Sequence, residues 1–579
     1  MVSWLMQPDA LGVVKTLFWG SVLMSLASFL TDRHLHTLLK AHWKPICFCI
    51  ALVLLWRIPT EGEFFHGTEY EDSYVYTVAG RQIAEHFRIE PGGPTLPYSI
   101  NVCGVGSLSS CKQSYNYPEH LIGYPYILSV FFNTFGYRPS IGSIVNVGCA
   151  CLVDVLIFLL CIVIADDVIA AMSAALIFAI TPVFAVWGLE TSAEPISNGC
   201  IILVLWFCLR YVFVGTEDRS RVNAFVTWCA FTSMLLLSLT VKRESILLPV
   251  VLPVMVFLVR FMNKHLASVS TRRSWWMLLG AALALMFSLQ LRLFQTQSSQ
   301  IALLKIFPLT AADLISYLPV FLGSFFVIQW YGGAVVLVLI GAIVAWRRKA
   351  LALIPLSLFL GYVLLYAYHI RSYYEMWSGS TDSRAALRFS MSLMGLWSIL
   401  AGLGTAWVLG CVGRTRAWKN HRVLGNWIAA SLVVMIGGVS YFGTQYFRED
   451  VVADEFRMRI EPSLAAVRMA AQDHTKETYI LTLEPLISQM YAEPNVDVLS
   501  FHEINDTVMK EIGFSEGEAD VLYLDEAIHR TTADAERYKS QRAYLNQFPQ
   551  SVQTSNTLFS VIRLRAGQGI SVGSHDTYR

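Results

Sequence analysis

Gly67-Thr68-Glu69-Tyr70-Glu71-Asp72-Ser73-Tyr74-Val75-Tyr76 sets three carboxylates and three tyrosines within eight residues, from Glu69 to Tyr76. The stretch follows an apolar run at 45–58 and precedes a helical pattern, Val78-Ala79-Gly80-Arg81-Gln82-Ile83-Ala84. Acids at the lip of a helix bundle accept a proton from a hydroxyl held in the cavity, and burial raises their pKa toward the working range. A solvated acidic loop is the plainer reading of such a run. The tyrosines and the helical apolar pattern around these acids favour a built site, with Asp72 and Glu71 as candidate bases.

Working outward, the surroundings are those of a membrane protein. The 579 residues are 55% hydrophobic and only 15% charged, which describes a polytopic chain rather than a soluble enzyme. A formal charge of +1 argues against a nucleic-acid partner, which needs a strongly basic face. Apolar runs long enough to span a bilayer lie near 11–30, 45–58, 140–163, 168–187, 195–214, 223–241, 244–262, 275–293, 317–346, 351–369, 387–411 and 425–445. The first of these lacks a basic leader and a small-residue cleavage site, so it reads as retained.

Orientation follows from the basic loops, which stay in the cytoplasm. These are Arg33/Lys40/Lys44, Lys264/Arg272/Arg273, Arg347/Arg348/Lys349 and Arg414/Arg416/Lys419/Arg422. All four are cytoplasmic only if 59–139 and the C-terminal tail are both outside. The run 121–135 then lies along the interface, and about twelve spans remain with both ends outside. This predicts a transmembrane domain over 1–445 and a small extracytoplasmic α/β domain over 446–579.

The outside loop is long for a connector, and such loops are commonly functional. It holds Cys103 and Cys111 around a Gly/Ser segment, a disulfide candidate if the loop faces an oxidising compartment. It ends in Tyr115-Asn116-Tyr117-Pro118-Glu119-His120. In the tail, Phe456 to Ala471 reads as an amphipathic helix, and 479–483, 496–501, 521–524 and 559–564 read as strands separated by helical stretches. It carries no phosphate-binding glycine motif, so a covering or docking role suits it.

Further charges gather at the same face. Trp187-Gly188-Leu189-Glu190-Thr191-Ser192-Ala193-Glu194-Pro195 joins two spans on the outer side; Glu194 either serves the helix N-terminus or reaches the cavity. Lys242-Arg243-Glu244 sits between two spans, where charge is costly unless paired or wet. An Arg/Lys pair there suits a phosphate, although snorkelling to the interface is the plainer alternative. Arg371 and Arg388 fall in the last outside loop and at the start of the span after it.

In this order the pieces resemble the polyprenyl-phosphate-sugar-dependent glycosyltransferases of the GT-C superfamily, in the branch of the protein O-mannosyltransferases (glycosyltransferase family 39) and aminoarabinose transferases. Glu71-Asp72-Ser73-Tyr74 resembles the acidic motif of that family's first outside loop, with Glu-Asp where Asp-Asp or Asp-Glu is usual. Tyr117-Pro118-Glu119-His120 is similar to its loop motif before an interfacial helix, and Pro182 through Ser192-Ala193-Glu194 to its proline and Ser-x-x-Glu pattern. Arg243-Glu244-Ser245 resembles its Arg-Pro-Glu element without the proline, and Arg388-Phe389 its late Arg-Tyr.

The resemblance implies a GT-C-like helical membrane fold and an inverting transfer of a sugar from a lipid-linked donor, a polyprenyl phosphate, to a glycan, lipid or protein acceptor. It implies Asp72 as base with Glu71 as partner or substitute, and sugar or acceptor contacts from Glu69, Tyr74, His120 and Glu194. It assigns the lipid phosphate to Lys242, Arg243, Arg371 and Arg388. No cofactor is called for, and a divalent metal is compatible with the reading but indicated by no motif. A prokaryotic inner membrane, with the active site on its periplasmic face, is the expected location. A transporter or lipid flippase and an inactive envelope scaffold are the alternatives; a transporter calls for inverted repeats and charges at the midplane.

Overall fold

The computed structural model describes residues 10–57, 71–89, 100–101, 114–115, 121, 123–188, 191–213, 221–262, 271–296, 318–319, 321–326, 331–348, 350–376, 390–414, 437–445, 461–472, 477–482, 496–500, 509–510, 514, 519–526, 539, 542–555 and 559–564. The chain forms two compact units: residues 1–65, 83–95 and 118–450, and residues 66–82, 96–117 and 451–579.

The first unit is helical. Its elements are α1 (Ala10–Thr31), α2 (Arg33–Arg57), the end of α3 (Glu71–Ile89), α4 (Gly123–Phe135), α5 (Ile141–Ala165), α6 (Val168–Ile180), α7 (Pro182–Trp187), α8 (Ala193–Val212), α9 (Arg221–Val241), α10 (Leu247–Met262), α11 (Thr271–Thr296), α12 (Val335–Arg348), α13 (Leu353–Met376) and α14 (Met394–Arg414). Among the described residues, six helices are long and apolar enough to cross a membrane, and four shorter apolar helices accompany them.

Several expected spans have more internal structure than their hydropathy shows. The run at 45–58 is the second half of α2, which starts at Arg33 and bends at His42, whose φ/ψ of −121°/20° is non-helical. Pro45 is the cause: it lacks an N–H and crowds the carbonyl one turn back, so the helix kinks there. Asp32 starts α2 by accepting from the backbone N–H groups of His34 and Leu35, both at 3.1 Å. The run at 168–187 divides at Thr181, extended ahead of a proline that opens α7. The run at 317–346 breaks at Gly332 and Gly333, with φ of +60° and +75°, and α12 begins just after.

α1 lies against α4 and α9. Val14 and Tyr126 share a buried cluster with Ile83 of α3, and Ser28 Oγ is 3.1 Å from Thr227 Oγ1. Where α1 and α8 end, Arg210 donates to both carboxylate oxygens of Asp32, with Nε to Oδ2 at 2.8 Å. α12 and α14 approach through Gly341 and Gly404, because a Cβ on either would strike the backbone of the other helix.

The second unit carries the start of α3, a two-residue pair β1 (Ile100–Asn101) and β2 (Ser114–Tyr115), helix α15 (Glu461–Ala470) and a five-stranded sheet. The sheet consists of β3 (Glu477–Thr482), β4 (Val496–Ser500), β5 (Ala519–Glu526), β6 (Gln550–Ser555) and β7 (Phe559–Leu564), in the order β4-β3-β5-β7-β6. β3 runs parallel to β4 and β5, whereas β7 is antiparallel to β5 and β6. Both faces are covered, as period-two alternation requires. Tyr479, Leu481, Val521, Tyr523, Ile562 and Leu564 face one cluster, and Ile480, Leu522, Leu524, Phe559 and Val561 face the other with Ala466, Val467 and Ala470 of α15. Four strands match the expected positions. β6 is a fifth that the pattern missed, because Gln550-Ser551-Val552-Gln553-Thr554-Ser555 is polar at the sheet edge and bulged between Val552 and Thr554.

A candidate anion site at the ends of the helices

Several site residues named from the sequence fall where no side chain is described. Glu69, His120, Arg388, Cys103 and Cys111 lie outside the described residues. Glu71, Asp72 and Tyr74 occupy the first turn of α3, Arg243 a 3-10 turn after α9, and Arg371 the last turns of α13; only their backbones are described. A first helical turn is a favourable place for carboxylates, because the unpaired N–H groups there carry positive partial charge. Within that turn Thr77 Oγ1 donates to the Ser73 carbonyl at 2.8 Å.

Two of the named residues do come together. Lys242 Nζ donates to Glu194 Oε1 at 2.8 Å across 48 positions of sequence. Their side chains are 10% and 2% exposed. The local chain explains both placements. Glu194 stands in the first turn of α8 behind the extended Ser192, whose side chain makes no cap bond, so the carboxylate is the anion nearest that N-terminus. Lys242 is extended, φ −148° and ψ 135°, between the end of α9 and the turn Arg243–Ile246, which turns its side chain inward.

Hydroxyls and rings surround the pair. Lys242 Nζ reaches Ser392 Oγ at 3.5 Å and lies 5.7 Å from the centre of the Tyr366 ring. Tyr362 stacks on Tyr366 with ring centres 5.9 Å apart, and Tyr331 donates to Ser390 Oγ at 2.6 Å. Glu244 and Ser245 are buried two and three residues beyond Lys242. Asn198, one turn into α8, accepts from the Gly395 N–H at 2.9 Å and fastens α8 to α14. An ammonium carries three donors and a carboxylate accepts one of them here. An oxyanion entering this cluster competes with Glu194 for Lys242 and finds hydroxyl donors beside it.

Two charged residues that sequence reading missed lie close by. Arg57 ends α2 and Asp154 sits midway along α5; both are buried. Arg57 Nη2 donates to the Phe178 carbonyl at 3.2 Å, and its guanidinium lies 4.9 Å from the centre of the Phe178 ring. The available signal was an ionisable residue inside an apolar run, which is a reason for suspicion in its own right. Among the described residues, no group of three or more His, Cys, Asp or Glu is placed to hold a metal ion.

No known family profile matches the sequence, and no curated protein matches it. Solved structures do match. ArnT from Cupriavidus metallidurans bound to undecaprenyl phosphate is 14% identical over 91% of this chain and 98% of its own, with a TM-score of 0.55. The same protein in the apo state gives 13% identity, 91% and 99% coverage and a TM-score of 0.56. The Archaeoglobus fulgidus oligosaccharyltransferase in its apo form is 10% identical over 84% of this chain and 69% of that one, with a TM-score of 0.50. Likeness at this identity is one of fold. The polytopic helical fold expected from the sequence is the one this chain shares with these structures.

Proposed function

We propose that this chain is an inverting glycosyltransferase that takes a sugar from a polyprenyl-phosphate donor at the outer face of the membrane. The observation that carries the reading is the buried Glu194–Lys242 pair, set among hydroxyls at helix ends that the basic loops assign to the outside. Its weight comes from the fold, shared with a protein whose structure holds undecaprenyl phosphate. Apolar helices deliver a lipid carrier in the membrane plane, and a cation at their ends meets its phosphate there.

In this reading Asp72, with Glu71 as partner, takes the proton from an acceptor hydroxyl or amine. The freed lone pair attacks the anomeric carbon, the bond from that carbon to the phosphate oxygen breaks, and the phosphate leaves on its lipid. Lys242, with Arg243, Arg371 and Arg388, offsets the charge that develops on the leaving oxygen. Glu69, Tyr74, His120 and Glu194 are the candidate contacts for sugar and acceptor. The preferred setting is a prokaryotic inner membrane with the reaction on the periplasmic side.

The test is sugar release from a polyprenyl-phosphate sugar by the purified protein and its Asp72→Asn and Glu71→Gln variants. A positioned base contributes about 10²–10⁴-fold, so Asp72→Asn is expected to lose activity on that scale. Full activity in both variants removes the catalytic assignment.

A further inference from the structure

Arg57 and Asp154 are buried charges with no part in the reaction as written above. Three contacts place the Arg57 guanidinium. Its Nη2 holds the carbonyl of Phe178 at the end of α6, its plane lies over the Phe178 ring, and its Nη1 occupies the space where Gly188 would carry a Cβ. Gly188 follows α7, where its N–H donates to the Phe184 carbonyl at 3.1 Å, and a Cβ there would also strike that carbonyl. A cavity beside Arg57 is lined by Phe184 of α7 and by Pro195 and Asn198 of α8, among others. Arg57 thus lies against Gly188 at the end of α7 and beside the first turns of α8.

Asp154 is the buried acid of the neighbouring helix α5. α2, which ends at Arg57, packs against α5, which carries Asp154, and against α6. Yet both Asp154 carboxylate oxygens, and Arg57 Nε, are buried without a hydrogen-bond partner among the described residues. A pair so poorly satisfied stabilises little; apolar residues of similar volume commonly do as well or better. Ionisable residues at such depth default to a functional role. What the guanidinium provides here is a planar head that donates to the Phe178 carbonyl while filling the space against Gly188, which no apolar side chain does.

We infer that Arg57 is a positioning residue for the Glu194–Lys242 pair: it holds the Phe178 carbonyl, packs against Gly188 and lines a cavity with Pro195 and Asn198, and so fixes the first turn of α8, which carries Glu194. The catalytic meaning of that pair rests on the function proposed above, but the positioning itself is measured apart from it.

The experiment compares the full-length wild type with Arg57→Lys, Arg57→Met, Gly188→Ala and the double variant Arg57→Met/Asp154→Leu. Three quantities are read in detergent: melting temperature, acylation of Lys242 by acetic anhydride followed by mass spectrometry, and binding of undecaprenyl phosphate. Arg57→Met strands Asp154 and is expected to lower the melting point by about 5 °C or more, whereas the charge-free double variant recovers most of it. Lys242 acylation is nevertheless expected to rise several-fold in the double variant and in Gly188→Ala, and to stay closer to wild type in Arg57→Lys. A double variant that recovers stability and keeps Lys242 as protected as in wild type overturns the positioning role. So does an Arg57→Met variant with unchanged melting point and labelling. Absence of undecaprenyl phosphate binding by the wild type counts against the proposed function alone, because the labelling comparison still decides the role of Arg57.

Discussion

At the level of single residues, anion binding turns on what Lys242 gives up when a phosphate arrives. Its ammonium is bound to Glu194 at 2.8 Å, and a lipid phosphate has to share or replace that carboxylate. Lys242→Met is therefore expected to weaken undecaprenyl phosphate binding by about tenfold or more, since a hydrogen bond to a charged group is worth about 1.5–3 kcal/mol. Glu194→Gln moves the other way: it keeps an acceptor, removes the competing charge, and is expected to tighten binding several-fold while transfer slows. Titration of the purified variants with the lipid reads both signs, and looser binding by Glu194→Gln contradicts the competition. Lys242 and Glu194 were legible in the sequence because each interrupts apolar chain at the edge of a span, where charge stands out. Their pairing was not, since 48 residues separate them and only the fold closes the distance. Asp154 was lost for the opposite reason. It lies inside Cys149-Ala150-Cys151-Leu152-Val153-Asp154-Val155-Leu156, and a window average absorbs one acid among so many apolar neighbours.

At the scale of elements, hydropathy located the helices but not their joints. Pro45, Pro182 and the pair Gly332-Gly333 set the bend of α2, the break before α7 and the late start of α12 by local backbone chemistry that an apolar count does not see. β6 was missed on the same grounds, because an edge strand needs no apolar face. Glycines within helices carry a second kind of information. Gly404 has no room for a Cβ against α12, whereas Gly410, six residues on in the same helix, has nothing within 4 Å of where one would sit. Gly404→Ala is expected to lower stability by about 1–3 kcal/mol through overpacking, while Gly410→Ala leaves it unchanged or raises it by up to about 1 kcal/mol through helix propensity. Thermal unfolding of the two variants in one detergent makes the comparison. Equal losses refute close packing of α12 and α14 as the cause.

At the scale of the whole molecule, two observations constrain how the chain is built. The first is sidedness. The Asp32–Arg210 pair joins helix ends that the basic loops place in the cytoplasm, and the Glu194–Lys242, Tyr331–Ser390 and Arg57–Phe178 contacts join ends that they place outside. Alternating helices joined wrongly by one crossing would mix these two sets, and these four contacts among the described residues do not mix them. A reporter fused after residue 445 is accordingly expected to be active only outside the cytoplasm, and cytoplasmic activity reverses the orientation. The second is autonomy of the tail. Among the described residues, both apolar clusters of the five-stranded sheet draw on positions between Ala465 and Leu564, so the burial seen at this sheet comes from its own stretch of chain. α15 and the strands supply both layers that a folded domain needs. Residues 451–579 expressed alone are expected to be soluble, to show mixed helix and strand signal by circular dichroism, and to unfold in one cooperative step. A gradual melt with dye-binding apolar surface instead means that the sheet needs the rest of the chain to close its core.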